Sequence, residues 1–79
     1  GKKILLNFFL KKNIYFLKSE GNFILFRLKK NKNNYFSFFK KNKIMIVEKL
    51  NHINLTGLSR ITLAPKKEIL KFIKILKNY

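Results

Sequence analysis

The spacing of apolar residues along the chain changes several times, and each spacing predicts a different kind of element. Apolar positions three or four residues apart predict three helices, over residues 3–12, 32–42 and 65–77. Short apolar, β-prone runs bounded by polar residues predict four strands, over residues 14–17, 22–28, 43–48 and 58–64. The resulting order of elements is typical of an α+β fold in which helices pack on one face of a small sheet.

Two of these strands carry most of the information about the sheet. Residues 22–28 are apolar on both faces, which favours a place inside the sheet rather than at its edge. In residues 58–64 the strand period of two places Arg60 and Thr62 on one face and Ile61 on the other. Arg60 therefore lies on the less apolar side of a predicted strand.

The last predicted helix has the clearest boundary signals. Pro65 stands at the first helical position, where an N–H would have no helical partner. Glu68 lies in the first turn, where the helix dipole favours an acidic side chain. Four apolar residues form the face predicted to cover the sheet: Ile69, Leu70, Ile73 and Leu76.

Length and composition exclude several classes of function. The chain has 79 residues, which is enough for one small domain. It contains no Cys, one His (His52) and three acidic residues, so neither a metal site nor a carboxylate-pair hydrolase site is expected. No uncharged apolar run approaches the ~20 residues that a membrane span needs, so no membrane association is expected.

The charge leaves two interpretations open. Lys and Arg number 19 against 3 acidic residues, which gives a net charge of +16, but Arg occurs only at Arg27 and Arg60. Lys, Asn, Ile and Phe dominate the sequence, and all four have A/T-rich codons, so an AT-rich genome accounts for the composition. The alternative is a small basic nucleic-acid-binding or ribosomal protein whose lysines neutralise phosphates. The scarcity of Arg favours the first interpretation, because nucleic-acid binders usually enrich Arg.

Three stretches carry motifs that occur together in one enzyme family. Residues 19–27 (SEGNFILFR) are similar to a Ser-x-Ala-Asn-Phe segment that enters a strand, and residues 43–48 (KIMIVE) to a Gly-Ile-Ile-Val-Arg-Asp strand. Residues 55–63 (LTGLSRITL) are similar to Leu-x-Gly-x-Leu-Arg-Ile-Thr, with a Pro-x-x-Glu helix after them. In this order the motifs resemble the C-terminal small domain of class I/II pyridoxal-phosphate-dependent aminotransferases, most of all the histidinol-phosphate aminotransferases.

The resemblance implies a reaction and a division of labour. The enzyme would transfer an amino group between an amino-acid or amino-phosphate substrate and a 2-oxo acid, as in histidine biosynthesis, with pyridoxal 5′-phosphate as cofactor. In this fold-type I family the large domain holds the cofactor, and that domain is missing here, so the 79 residues alone are expected to be inactive. The chain opens with Gly1 rather than Met, as a fragment would. The intact enzyme is expected to be a cytoplasmic homodimer.

The resemblance also implies one substrate-binding residue in this segment and no catalytic or cofactor-binding residue. The Arg of the family's Leu-Arg-Ile-Thr motif, which binds the substrate anion, corresponds to Arg60. A planar, permanently charged guanidinium suits this role because it binds a carboxylate or phosphate through two parallel hydrogen bonds.

The sequence departs from the family pattern at a few positions. A second anion-binding Arg of the family corresponds to Val47, and Lys49, two residues further along the predicted strand, is the candidate to supply a weaker charge. Lys43 and Ala64 stand where the family has Gly. These differences weaken the expectation of a phosphate-bearing substrate more than they weaken the expectation of the fold.

The remaining candidate residues are assigned structural roles. Asn22 is expected to form hydrogen bonds where strand 22–28 begins, and Arg27 to extend toward the edge of the sheet. His52 is expected to be solvated in a polar loop. The aromatic side chains of residues 35–39 have helical spacing, which favours packing in the core over stacking on nucleic-acid bases.

Overall fold

The computed structural model describes residues 2–19, 21–44, 47–49, 57–63 and 65–79, which contain three helices and four strands. In chain order these are α1 (Lys2–Lys12), β1 (Tyr15–Lys18), β2 (Phe23–Arg27), α2 (Lys32–Lys41), β3 (Val47–Lys49), β4 (Ser59–Thr62) and α3 (Lys66–Ile75). The order of elements and the small α+β class confirm the sequence prediction.

The four strands form one antiparallel sheet in the order β1-β2-β4-β3. β2 has a neighbour on each side, as its apolar character predicts, with Leu25 opposite Leu17 of β1 and Arg60 of β4. β3 pairs with β4, with Val47 opposite Ile61. Since side chains alternate between the two faces, this register determines which residues meet on each face.

All three helices pack on one face of the sheet, around the ring of Phe72 in α3. Its centroid lies 6.2 Å from that of Phe9 in α1, 5.4 Å from that of Phe26 in β2 and 5.0 Å from that of Phe39 in α2. All four rings are fully or almost fully buried. Each such pair contributes about 0.5–1.5 kcal/mol beyond the burial of its apolar area. One aromatic cluster therefore joins the helices to the sheet.

The end of α2 differs from the prediction because Lys43 has a left-handed backbone, with φ 56°. The Lys43 N–H donates to the Lys40 carbonyl (3.1 Å) and the Ile44 N–H to the Phe39 carbonyl (2.9 Å), which are the two hydrogen bonds of a Schellman motif. Residues 43 and 44 therefore belong to the helix end. The predicted strand 43–48 is corrected to β3, which begins at Val47; residues 45–46 lie outside the described part of the chain.

α1 ends in the same way, which moves the first strand by one residue. Asn13 has φ 56°, and the Ile14 N–H donates to the Phe9 carbonyl at 2.9 Å. Ile14 is buried, but as the residue that closes α1 and not as the first residue of a strand. The predicted strand 14–17 is therefore β1, Tyr15–Lys18.

The prediction for α3 is correct in its position and wrong in two details. Pro65 has φ −82° and ψ 157° and lies at the N-cap, one residue before the helix, while Glu68 lies in the first turn as predicted. Leu70 is 48% exposed, and Phe72 takes the place predicted for it in the buried face. The reason is geometric, because Ile69 and Phe72 are three residues apart and share a helix face that Leu70 does not.

Some predictions concern residues outside the described part of the chain. These are the solvated role of His52 and the end of the predicted strand 58–64 at Ala64.

Candidate anion-binding site on the open sheet face

The sheet face opposite the helices is not covered by any element that the structure describes. In β2 the side chains of Ile24 and Phe26 are buried on the helix side, and in β4 those of Ser59 and Ile61. The other side chains of β2 and β4 point to the opposite face and are half-buried. Two side chains of β1 on that opposite face are exposed. We call this surface the open sheet face; its residues are Tyr15, Leu17, Phe23, Leu25, Arg27, Arg60 and Thr62.

Arg60 lies on this face in β4, the strand between β2 and β3. Its Cα pairs with that of Leu25 on one side and with that of Glu48 on the other. The guanidinium carbon lies 5.7 Å from the centroid of the Phe23 ring, within the range of a cation–π interaction. Strand alternation predicted this face for Arg60, and the half-buried side chain confirms it.

Arg27 lies on the same face in β2. Its guanidinium carbon is 5.1 Å from the centroid of the Tyr15 ring, across the β1–β2 pair. Tyr15 belongs to the edge strand β1, so Arg27 extends toward the edge of the sheet as predicted. Gly57 is the nearby turn residue: a Cβ there would lie 3.7 Å from Arg27 Nε, and its φ of 86° is one that glycine adopts without strain.

The open sheet face therefore holds both arginines of the chain, each over an aromatic ring. A guanidinium on an aromatic face keeps its N–H groups at the rim of its plane, where they can donate to a carboxylate or phosphate. Phe23 and Tyr15 were not identified as partners of the arginines from the sequence. Each pairing depends on which strands are neighbours and in which register, and no local sequence signal carries that information.

The strand register pairs Lys49 with the residue next to Arg60 and not with Arg60 itself. Lys49 pairs with Ser59 in β4 and Val47 with Ile61, whereas Arg60 pairs with Glu48. Lys49 and Val47 are two residues apart in β3, as predicted. Their partners in β4, Ser59 and Ile61, are buried on the helix side of the sheet.

Asn22 contributes to the start of β2 through its backbone, because its carbonyl accepts a hydrogen bond from the Leu63 N–H at 3.0 Å. The turn before it depends on Ser19. The Ser19 hydroxyl donates to the Phe23 carbonyl at 2.7 Å and accepts from the Gly21 N–H at 3.2 Å. This network orders the residues next to the ring that contacts Arg60.

Three of the four aromatic residues of α2 pack in the core as predicted, whereas the prediction is wrong for Phe38. Phe39 is buried, while Tyr35 and Phe36 are half-buried against the core cluster. Phe38 is the exposed member of the group, at 47%.

Two further properties of the described residues bear on function. They contain no group of three or more His, Asp or Glu side chains that could hold a metal ion. None of the helices described is both long and apolar enough to cross a membrane.

Comparison with known proteins identifies no relative: no family model, no curated protein and no solved structure matches this chain.

Proposed function

We propose that this chain is the C-terminal part of a pyridoxal-phosphate-dependent aminotransferase of the kind that the histidinol-phosphate aminotransferases represent, and that Arg60 binds the anionic group of its substrate. The observation that carries the proposal is the place of Arg60 on the open sheet face, over the Phe23 ring. The side chain is half-buried there, and the neighbouring ring restricts its orientation.

The backbone at Lys43 supports the proposal independently of Arg60. The family has Gly at this position, and Lys43 has the left-handed φ of 56° that glycine favours. The family motif thus has glycine at the position where this chain has a left-handed backbone. The motifs also stand on the strands and helices predicted for them, in the predicted order.

The described residues do not fit pyridoxal phosphate itself. None of the described lysine side chains is buried, whereas a lysine that bonds the cofactor is usually desolvated to lower its pKa. The sequence contains no Asp, a common partner of the pyridine nitrogen. We therefore propose that the cofactor is held outside this chain, as the division of labour in the family implies. We also propose that the intact enzyme is a cytoplasmic homodimer.

The contribution of this chain to the reaction is orientation. Arg60 would donate two parallel N–H bonds to the substrate carboxylate, which sets the direction of the bonds at the neighbouring carbon. The Phe23 ring restricts where the guanidinium can lie. Lys would be a weaker substitute, because its ammonium is a single point charge on a flexible stem.

The test is made on the complete gene product that contains this chain. Arg60→Gln should lower kcat/KM by about 10- to 100-fold, the effect of losing a charged hydrogen bond of about 1.5–3 kcal/mol. The cofactor absorbance should stay unchanged, because Arg60 does not hold the cofactor.

Lys66→Gln provides the matched control, since it removes one charge from an exposed residue at the start of α3, on the helix side of the sheet. It should leave kcat/KM within about twofold of the unmodified enzyme, as most surface substitutions do. Unchanged kinetics in Arg60→Gln, or loss of the cofactor from it, would contradict the proposed role.

One observation favours the second candidate, binding of nucleic acid. Four lysines line a groove of 360 Å³ between α1 and α3, around Phe8 and Ile73: Lys11, Lys12, Lys74 and Lys77. A binder of this type loses affinity log-linearly with salt concentration. Weak binding without preference for any sequence or structure would instead indicate a basic surface with no such function.

A further inference from the structure

A groove runs along the helix side of the sheet, between α1 and the edge strand β1. Its volume is 640 Å³, which lies in the range of small-molecule sites. β1 has β2 as its one neighbour in the sheet, so none of the described strands extends past it to close the groove. The residues that line the groove are Lys2, Lys3, Leu6, Asn7, Leu10, Phe16 and Lys18.

The floor of this groove is apolar and is held in place by the core. Leu6 and Phe16 are half-buried and pack against the core cluster, and the Phe16 ring stacks on that of Phe9 with centroids 5.7 Å apart. Leu10 lies four residues after Leu6 on the same face of α1. At 63% it is the most exposed large apolar side chain in the described part of the chain. A ligand that covers Leu10 therefore removes apolar surface from water, which favours binding.

The cationic residues of the groove lie toward one end of it. Lys2 and Lys3 are in the first turn of α1, and Lys18 is the last residue of β1. The stacking of Phe16 on Phe9 shows that the chain folds back after α1, so the end of β1 lies toward the start of α1. The apolar floor extends from the three lysines toward the other end of the helix.

The charge of the three lysines is not balanced by neighbours that the structure describes. All three are exposed, and none of the described residues that line the groove is acidic. The ion pair between Lys71 and Glu68 lies elsewhere, on α3. Cations that lie near one another repel, and a bound anion removes that repulsion. The Asn7 amide, one turn after Lys3, can donate a hydrogen bond to the same anion.

We propose that this groove binds an aliphatic carboxylate of medium chain length. The carboxylate contacts the lysines, and the alkyl chain lies over Leu6, Phe16 and Leu10. From Lys3 to Leu10 the helix rises about 10 Å, roughly the extended length of octanoate. The site lies on the helix side of the sheet, away from Arg60, so the inference goes beyond the proposed function and does not depend on it.

The shape of the groove favours a single acyl chain over a membrane surface. A helix that lies on a membrane presents its apolar residues outward, with cations along its polar face. Here Leu6 and Phe16 are recessed between a helix and a strand, and the cations lie toward one end. A cationic end and an apolar floor are complementary to one anionic head group and one chain.

The experiment measures binding of carboxylates to the complete gene product that contains this chain. Calorimetry compares hexanoate, octanoate and dodecanoate, each below its micelle concentration. Octanol and octylamine are matched probes with a neutral and a cationic head group. An octanoate with a photoreactive diazirine near the end of its chain, followed by peptide mass spectrometry, locates the bound ligand.

We expect the affinity to rise about two- to fourfold per methylene from hexanoate to octanoate, as partial or full burial of each methylene predicts. The rise should stop before dodecanoate, whose chain extends past the groove. Octanol should bind at least about tenfold more weakly than octanoate, because it lacks the charge-assisted hydrogen bonds. Octylamine should bind more weakly still, and the photolabel should lie on α1 or β1.

Two variants separate the roles of the floor and the cationic end. Leu10→Gln should lower octanoate affinity by about threefold to tenfold, because apolar contact is lost. Leu70→Gln is its matched control, since Leu70 is 48% exposed on α3 and does not line the groove. Lys18→Gln should lower the affinity by a similar factor, and Lys66→Gln, which removes an exposed charge elsewhere, should not change it.

Several results would overturn the proposal. These are equal affinity for octanoate and octanol, a photolabel outside residues 2–18, and unchanged affinity in Leu10→Gln. Binding to anionic lipid vesicles without binding of free octanoate would indicate a membrane surface instead. Absence of any binding would mean that the groove is not a ligand site in the complete gene product. None of these results bears on the role of Arg60, which the kinetics of Arg60→Gln test separately.

Discussion

Each arginine on the open sheet face has a restricted side chain. Arg60 lies 5.7 Å from the Phe23 ring and Arg27 5.1 Å from the Tyr15 ring, measured from guanidinium carbon to ring centroid. An arginine that is already oriented loses less side-chain entropy when it binds an anion. Alternation in β4 was enough to predict the face of Arg60. Its aromatic partner could not be predicted, because that contact depends on the direction in which two long side chains lean.

Ser59, next to Arg60, has the opposite environment. Its side chain is fully buried on the helix side, and among the described residues Oγ has no hydrogen-bond partner. The family motif has Leu at this position. We expect Ser59→Ala to increase the free energy of unfolding by about 1 kcal/mol, because it removes an unpaired buried hydroxyl and leaves almost no cavity. Denaturant unfolding of the two proteins measures the difference.

Ser37→Ala is the control, since Ser37 is exposed on α2. It should change the stability by no more than about 0.5 kcal/mol, the difference in helix propensity between the two residues. A clear loss of stability in Ser59→Ala would mean that the hydroxyl is hydrogen-bonded, which contradicts our interpretation of this site.

At the scale of elements, all seven predicted helices and strands are present in the predicted order. Their bounds were less predictable, and the errors at the ends of α1 and α2 share one cause. At both Asn13 and Lys43 the backbone becomes left-handed after a helix, and the Ile that follows packs back as part of the helix end. From the sequence, each Ile was taken as the start of a strand. Glycine is the usual signal for such a turn, and neither position has one.

This explanation predicts a stabilising substitution. Lys43→Gly should increase the free energy of unfolding by about 1 kcal/mol, because a left-handed backbone is about 1–2 kcal/mol unfavourable for a residue with Cβ. The greater flexibility of glycine in the unfolded chain offsets part of that gain. Thermal or denaturant unfolding measures the result.

The control is Lys40→Gly, three residues earlier in the last turn of α2. The same substitution there should decrease stability by about 1 kcal/mol, because glycine is a poor helix former. If both substitutions destabilise the protein equally, the left-handed backbone at Lys43 is not the reason for the effect.

At the scale of the whole molecule, the described helices cover one face of the sheet and leave the other open. That open face carries apolar as well as cationic side chains, with Tyr15 47% and Leu17 41% exposed. Such a face is typical of a surface that meets a ligand or another domain. The two-layer arrangement followed from the sequence pattern, but the register that separates Lys49 from Arg60 did not. It depends on how β3 pairs with β4, which no local sequence pattern specifies.

The central claim is that this chain supplies substrate-binding arginine to an enzyme whose cofactor is held elsewhere. Borohydride reduction of the complete gene product, followed by peptide mass spectrometry, tests it most directly, because reduction fixes pyridoxal phosphate covalently to the lysine that bonds it. We predict one labelled lysine, located outside these 79 residues. A gene product without any labelled lysine, or with the label on a lysine within the 79 residues, would contradict the account.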